Sequence, residues 1–242
     1  MDYDSLLELV KNRRSIRRFR PDPIPDEYVD KIIEVARWAP SGFNTQPWEF
    51  VVVKEKDLKD RIVRLTREFS HNGAVMEATV EPQRGKPWET LTSAEMDYSN
   101  APVFILLYGD PRTKMGLPII TRFDKLRVYT TFISSLSNAF LCMHLAATSL
   151  GLASQWVSAV AAPYQRCLIN DILRIPHQME IFDMMVVGYP AVEPRSKLLR
   201  TREEMIHYDK CDRGEFRTDE EVNDFIKRTR TWVIASHRRK AD

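Results

Sequence analysis

Five of the eight residues from Arg13 to Arg20 are arginine, at positions 13, 14, 17, 18 and 20. In an extended segment alternate side chains share a face, so Arg13, Ser15 and Arg17 fall together while Ile16 turns inward. Two guanidinium forks and a hydroxyl converging on one point make a clamp for a phosphate. A solvated basic turn is the competing reading. A second segment follows, Pro40-Ser41-Gly42-Phe43-Asn44-Thr45-Gln46-Pro47-Trp48. Proline and glycine give it a fixed turn, and Ser41, Asn44 and Gln46 bring polar groups to that turn. Such a turn suits the edge of a flat heterocycle, or it simply connects and caps its neighbours.

The elements that must hold these segments are legible in the apolar pattern. Residues 3–12 read as a short helix carrying Leu6, Leu7 and Val10 inward. Pro25-Asp26 opens a second helix with Asp26 as its N-cap. Val29, Ile32, Ile33 and Ala36 form one apolar stripe along it, and Pro40 lies beyond its end. Strands are expected at Phe50–Val53, Val103–Tyr108, Gln155–Val160 and Phe182–Val187. Further helices are expected at Asp57–Thr66, Tyr129–Leu150, Tyr164–Ile172 and Asp219–Trp232, with Gly151 stopping the long one. Residues 111–126 read as irregular. Residues 67–98 mix Gly73, Pro82, Gly85, Pro87 and Trp88 with scattered charge and read as a partly helical lid over a site. Trp88, Met76, Met96 and Tyr98 are its candidate contacts. The fold expected is a single α+β domain over residues 1–205, a mixed central sheet flanked by helices, with residues 206–242 as a C-terminal extension.

Composition excludes several classes. The formal net charge is +2, so no global field recruits nucleic acid or an anionic membrane, and no aromatic interleaving accompanies the arginines. Three cysteines, Cys142, Cys167 and Cys211, lie far apart and give neither a disulfide framework nor a metal spacing. The five histidines show no ligand spacing either. An acidic start, Met-Asp-Tyr-Asp, and interrupted apolar runs lead to the expectation of a cytoplasmic protein without a signal peptide or membrane span. The helix Tyr129–Leu150 is apolar almost all round, including Phe132, Ile133, Leu136, Phe140, Leu141 and Met143. A second copy of the chain would bury it, with burial inside one chain as the alternative.

Two weaker motifs complete the pattern: Ala153-Ser154-Gln155-Trp156-Val157-Ser158 after Gly151, and Val187-Gly188-Tyr189-Pro190 followed by Lys197, Arg200 and Arg202. Core strands and a charged tail explain them equally well in isolation. In order, Arg-Arg-Ser-Ile-Arg, Ala-Pro-Ser-Gly-Phe-Asn-Thr-Gln-Pro-Trp and Val-Gly-Tyr-Pro resemble the FMN-dependent nitroreductase-like family over roughly residues 3–205. The resemblance implies an α+β homodimer with the long helix at its interface and FMN in a groove shared by both subunits. It implies that Arg13, Arg14, Ser15 and Arg17 hold the ribityl phosphate and one ring edge. Pro40, Ser41, Gly42 and Asn44 would come from the partner subunit, and Trp156, Val157 and Ser158 would line the other ring edge. Arg200, with Lys197 as runner-up, would place a cation near the phosphate or flavin N1; the family's Lys-Pro-Arg wording reads Lys197-Leu198-Leu199-Arg200 here.

The activity implied is reduction of an electron-poor small-molecule acceptor, a nitroaromatic or quinone, at the expense of NAD(P)H in two half-reactions at one flavin face. No side chain is assigned as catalytic acid or base, and no metal is expected. Three alternatives stay open: reductive dehalogenation of the iodotyrosine deiodinase type, oxygen-dependent destruction of the flavin, and a non-catalytic flavin-binding interaction protein whose tail recruits a partner.

Overall fold

The computed structural model describes residues 2–79, 97–194, 197–211, 214 and 216–238. Among these residues seven α-helices and four strands follow in the order α1 (Tyr3–Asn12), α2 (Asp26–Arg37), β1 (Trp48–Val53), α3 (Lys56–Thr79), β2 (Val103–Gly109), α4 (Ile119–Arg122), α5 (Lys125–Ser149), β3 (Ala153–Val157), α6 (Pro163–Leu173), β4 (Glu180–Gly188) and α7 (Asp219–Arg238). The strands form one sheet in the order β1-β2-β4-β3, every neighbour antiparallel. The parallel component of the expected mixed sheet is confined, among the described residues, to a bridge between Ser15 and Ser154 at the β3 edge.

The sheet is buried on both faces, which explains why β2 and β4 read as near-continuous apolar runs rather than alternating ones. Val103, Ile105 and Leu107 of β2 join Met185 and Val187 of β4 under α2 and α5. Phe104, Leu106 and Tyr108 join Met184 and Val186 under α3 and α6. Each fully buried aliphatic of this kind contributes about 1.5–3 kcal/mol relative to exposure. One register shift, opposite Leu107 and Tyr108, leaves Phe182 without a partner across the ladder. Such a bulge re-aims the residues beside it.

Several boundaries differ from the sequence reading for local reasons. Asp124 caps α5 by accepting a hydrogen bond from the Arg127 amide at 3.0 Å, so the helix starts at Lys125 rather than Tyr129. It stops where expected, with Gly151 at φ +73°. Pro25, not Asp26, occupies the N-cap of α2; the Asp26 carboxylate instead accepts from Lys54 Nζ at 2.6 Å. In α1, Leu6 and Val10 are exposed rather than inward, at 47% and 49%, and only Leu7 and Leu9 are half-buried.

Residues 67–79 continue α3, whereas Trp88 and Met96 lie outside the described residues. Met76 is exposed. Tyr98 is a core residue, bonded to the Thr66 hydroxyl and set edge-on to Phe104 at 5.9 Å, so it is no lid contact. Burial pushes its hydroxyl up to about 12. Helix α5 is largely covered by its own chain: Phe132, Leu136, Phe140 and Met143 are buried and Ile133 is partly so, while Leu141 stays exposed. The apolar side chains left open for a second copy lie elsewhere, chiefly Tyr3, Leu6 and Val10 of α1 and Ile119 and Ile120 of α4 with Phe123.

Candidate functional site

The arginine segment is an arm fixed at both ends. The Ile16 amide donates to the Ser154 carbonyl at 3.1 Å, which seats the arm on β3. Further along, the Arg20 amide donates to the Tyr189 carbonyl at 2.9 Å and the Ala191 amide to the Arg18 carbonyl at 3.0 Å. Val187-Gly188-Tyr189-Pro190 thus holds the far end of the arm. Glycine is required at 188, where a Cβ would come within 2.5 Å of Pro102 Cδ. Ile16 is buried, as expected from the alternation, while Arg13, Arg14, Ser15 and Arg17 are half-buried beside it. Burial lowers the pKa of Arg13, with repulsion from Arg14 adding to it, and burial lowers that of Arg17. Arg13 meets no carboxylate among the described residues; its charged neighbour is Arg14, and His144 feels its field. A partly desolvated guanidinium without a counter-anion is what an anion site requires, so the residues present fit a phosphate.

The Pro40–Asn44 segment is equally fixed, but to the middle of α5. The Gly42 amide donates to Ser135 Oγ at 3.1 Å and Asn138 Nδ2 donates to the Pro40 carbonyl at 3.1 Å. Ser41 Oγ accepts from the Gln46 amide at 3.1 Å. Phe43, Asn44 and Gln46 all adopt positive φ, of 53°, 54° and 42°. Non-glycine residues hold this conformation only where the surroundings over-determine it. Gly42 allows the close approach: a Cβ there would stand 2.2 Å from Thr131 Cγ2. Gly42→Ala is therefore expected to cost about 1–3 kcal/mol by overpacking. Adding Thr131→Ser, which deletes that methyl, is expected to restore most of the loss. Thermal melts of the two variants check this; equal losses in both would contradict the packing account.

Helix α5 also supports the arm. His144 is 1% exposed, and its Nδ1 lies 2.7 Å from Ser154 Oγ, directly behind the Ser15–Ser154 bridge. Its Nε2 is buried with no hydrogen-bond partner among the described residues. Burial, with the nearby Arg13 charge, drives its pKa down to about 3. Ser135 and His144 are nine residues apart, about 14 Å along the helix at 1.5 Å per residue. The turn and the arm of one chain are therefore anchored at different heights on α5.

On β3, Ser154 and Trp156 face α5 while Ala153 and Val157 enter the opposite core. Trp156 packs edge-on to Phe140 at 4.6 Å and stacks near-parallel to His144 at 5.9 Å, yet 42% of it is exposed. Its Nε1 donates to Asp183 Oδ2 at 2.6 Å. Asp183, 7% exposed, has no ion-pair partner among the described residues, and burial raises its carboxyl to about 6. Val157 is buried, so it can offer a ligand only its backbone; Ser158 is exposed just beyond the strand.

Arg200 lies apart from these groups. It pairs with Glu204 of its own segment, Nε to Oε2 at 3.6 Å, and donates to the Glu204 carbonyl. Lys197 is exposed. No described contact joins either of them to the arm or the turn. His144, Ser135, Asn138 and Asp183 have no role in the sequence reading, and Ser154 enters it only as part of the β3 motif. The i, i+4, i+7 spacing of Thr131, Ser135 and Asn138 was the available signal for a polar seat on α5. Among the described residues no three His, Cys, Asp or Glu side chains gather as a metal site, and no helix is long and apolar enough to cross a membrane.

The helix-covered sheet with its edge-bound arm defines an α+β fold of the nitroreductase-like type. The chain belongs to the nitroreductase family, whose model matches residues 10–189. It is 38% identical over 198 residues to iodotyrosine deiodinase 1 of Rattus norvegicus, covering 79% of this chain and 64% of that protein. It is 25% identical over 190 residues to an Archaeoglobus fulgidus protein with the provisional name NADH dehydrogenase/NAD(P)H nitroreductase, covering 78% of this chain and 88% of that one. Among solved structures, an oxidised iodotyrosine deiodinase bound to FMN and 3-iodo-L-tyrosine superposes with TM-score 0.64 at 24% identity, over 85% of this chain and 100% of that one.

Proposed function

We propose that the chain is an FMN-dependent oxidoreductase that uses NAD(P)H to reduce electron-poor acceptors such as nitroaromatics or quinones. The observation that carries this reading is the half-buried Arg13, without a counter-anion among the described residues, on an arm anchored to β3 beside an exposed indole. When bound, FMN would supply two-electron redox chemistry between NAD(P)H and the acceptor. Arg13, Arg14, Ser15 and Arg17 grip its phosphate and one ring edge. Trp156, the Val157 backbone and Ser158 line the other edge, and Arg200 supplies a cation once it leaves Glu204. Pro40, Ser41, Gly42 and Asn44 belong to the groove of a partner subunit. Two features support that homodimer: the separate anchoring heights on α5, and the exposed apolar side chains of α1 and α4. Residues 1–205 form the cofactor-binding domain and 206–242 its extension. The protein acts in the cytoplasm.

A second reading is reductive dehalogenation, favoured by the 38% identity to the rat deiodinase. Steady-state turnover of the FMN-loaded protein separates the two. NADH and NADPH are each supplied with a nitroaromatic, a quinone or 3-iodo-L-tyrosine. Fast nicotinamide oxidation with the first two acceptors is the expected result. Iodide release from the third alone would replace it with dehalogenation, and no turnover with any acceptor would favour a non-catalytic flavin protein.

A further inference from the structure

We infer that Asp183 is a positioning residue that holds the Trp156 indole as the floor on which the flavin ring stacks. The inference rests on the FMN reading above and goes beyond it in placing the indole under the ring face rather than at its edge, and in assigning that indole a support.

Trp156 is only partly covered. Phe140 at 4.6 Å, His144 at 5.9 Å and Phe182 at 6.0 Å all contact it, and the rest of the residue is open. An exposed tryptophan on a core strand leaves a large apolar face in water, which is costly unless something covers it. Its place on β3 says what does. Two residues earlier, Ser154 is bridged to Ser15 of the phosphate arm, and Trp156 itself belongs with Val157 and Ser158 to the expected ring-edge stretch. Side chains at 154 and 156 share a strand face about 7 Å apart, so the indole lies within a heterocycle's reach of the arm.

The indole is also fixed in plane. Its N–H donates to a buried carboxylate that has no ion-pair partner among the described residues. The bulge opposite Leu107 and Tyr108 makes this possible, because it lets consecutive residues Phe182 and Asp183 both reach Trp156. Phe182 supports the indole edge while Asp183 ties its nitrogen, so rotation of the ring would break both contacts. A buried carboxylate retained against its desolvation cost, with one hydrogen bond to show for it, is better explained by orientation than by stability.

The test is the emission of FMN bound to the full chain, excited in the flavin band, with stoichiometry and affinity measured in parallel. An indole in face contact quenches flavin emission. Wild-type protein is expected to quench it. Trp156→Leu is expected to restore emission while still binding FMN, about two- to twelvefold more weakly. Asp183→Leu is expected to restore emission in part, and Asp183→Asn, which keeps the acceptor, to behave as wild type. Quenching unchanged in Trp156→Leu would overturn the stacking, and this variant decides the matter even where Asp183→Leu fails to fold. Quenching unchanged in folded Asp183→Leu would overturn the positioning role. Wild-type protein that binds no FMN would overturn the cofactor reading, and this inference with it.

Discussion

Asp183→Asn is expected to be more stable than the unmodified chain by about 3 kcal/mol at neutral and mildly alkaline pH, and to lose that gain as the pH falls toward 4. The Asp183 carboxyl is raised from 3.8 to about 6 by burial. Its contribution is therefore fully present below the unfolded value and is lost as pH rises through the folded one. His144 works in the opposite sense. Its pKa falls from 6.5 to about 3, so its contribution is present above 6.5 and is lost as pH falls toward 3, for about 5 kcal/mol across the window. Between roughly pH 6 and pH 4 the two slopes cancel. Asp183→Asn should unmask a loss of about 3 kcal/mol over that interval, and His144→Gln should instead become more stable on acidification. Urea unfolding at fixed ionic strength across this range measures both. Curves that run parallel to wild type would show that neither group titrates as its burial requires.

Arg13→Ala/Arg17→Ala is expected to weaken FMN binding by about 10²- to 10⁴-fold, since each charge-assisted hydrogen bond to phosphate is worth about 1.5–3 kcal/mol. The backbone of the arm is held by Ser154 and Tyr189 independently of these side chains. Thermal stability should consequently change far less than affinity. Arg17→Lys should fall between, because an ammonium keeps the charge but loses the two-pronged geometry. Equilibrium dialysis with FMN gives the comparison; wild-type affinity in the double variant would remove the arm from the site.

The sheet and its helices were readable because long apolar runs and stripes persist across them: β2 and β4 carry buried residues at almost every position, and α2 shows its stripe at Val29, Ile32 and Ala36. The arm was readable because arginine density is rare and local. What failed to show in the sequence depends on contacts between distant segments. A lone histidine in an apolar helix carries no mark of Ser154 ten residues on, nor of the arm behind it. Strand alternation separates Phe182 from Asp183, and only the bulge reunites them at Trp156. Leu6 and Val10 looked like core because helical spacing identifies an apolar face without saying which molecule covers it.

The arm's grip on phosphate is tested most directly by comparing the affinity of the wild-type chain for FMN with its affinity for riboflavin, which lacks only that group. Binding of FMN tighter by about 10²-fold or more is the result the half-buried guanidiniums require. Equal affinity for the two would contradict it, whatever the protein then does with the ring.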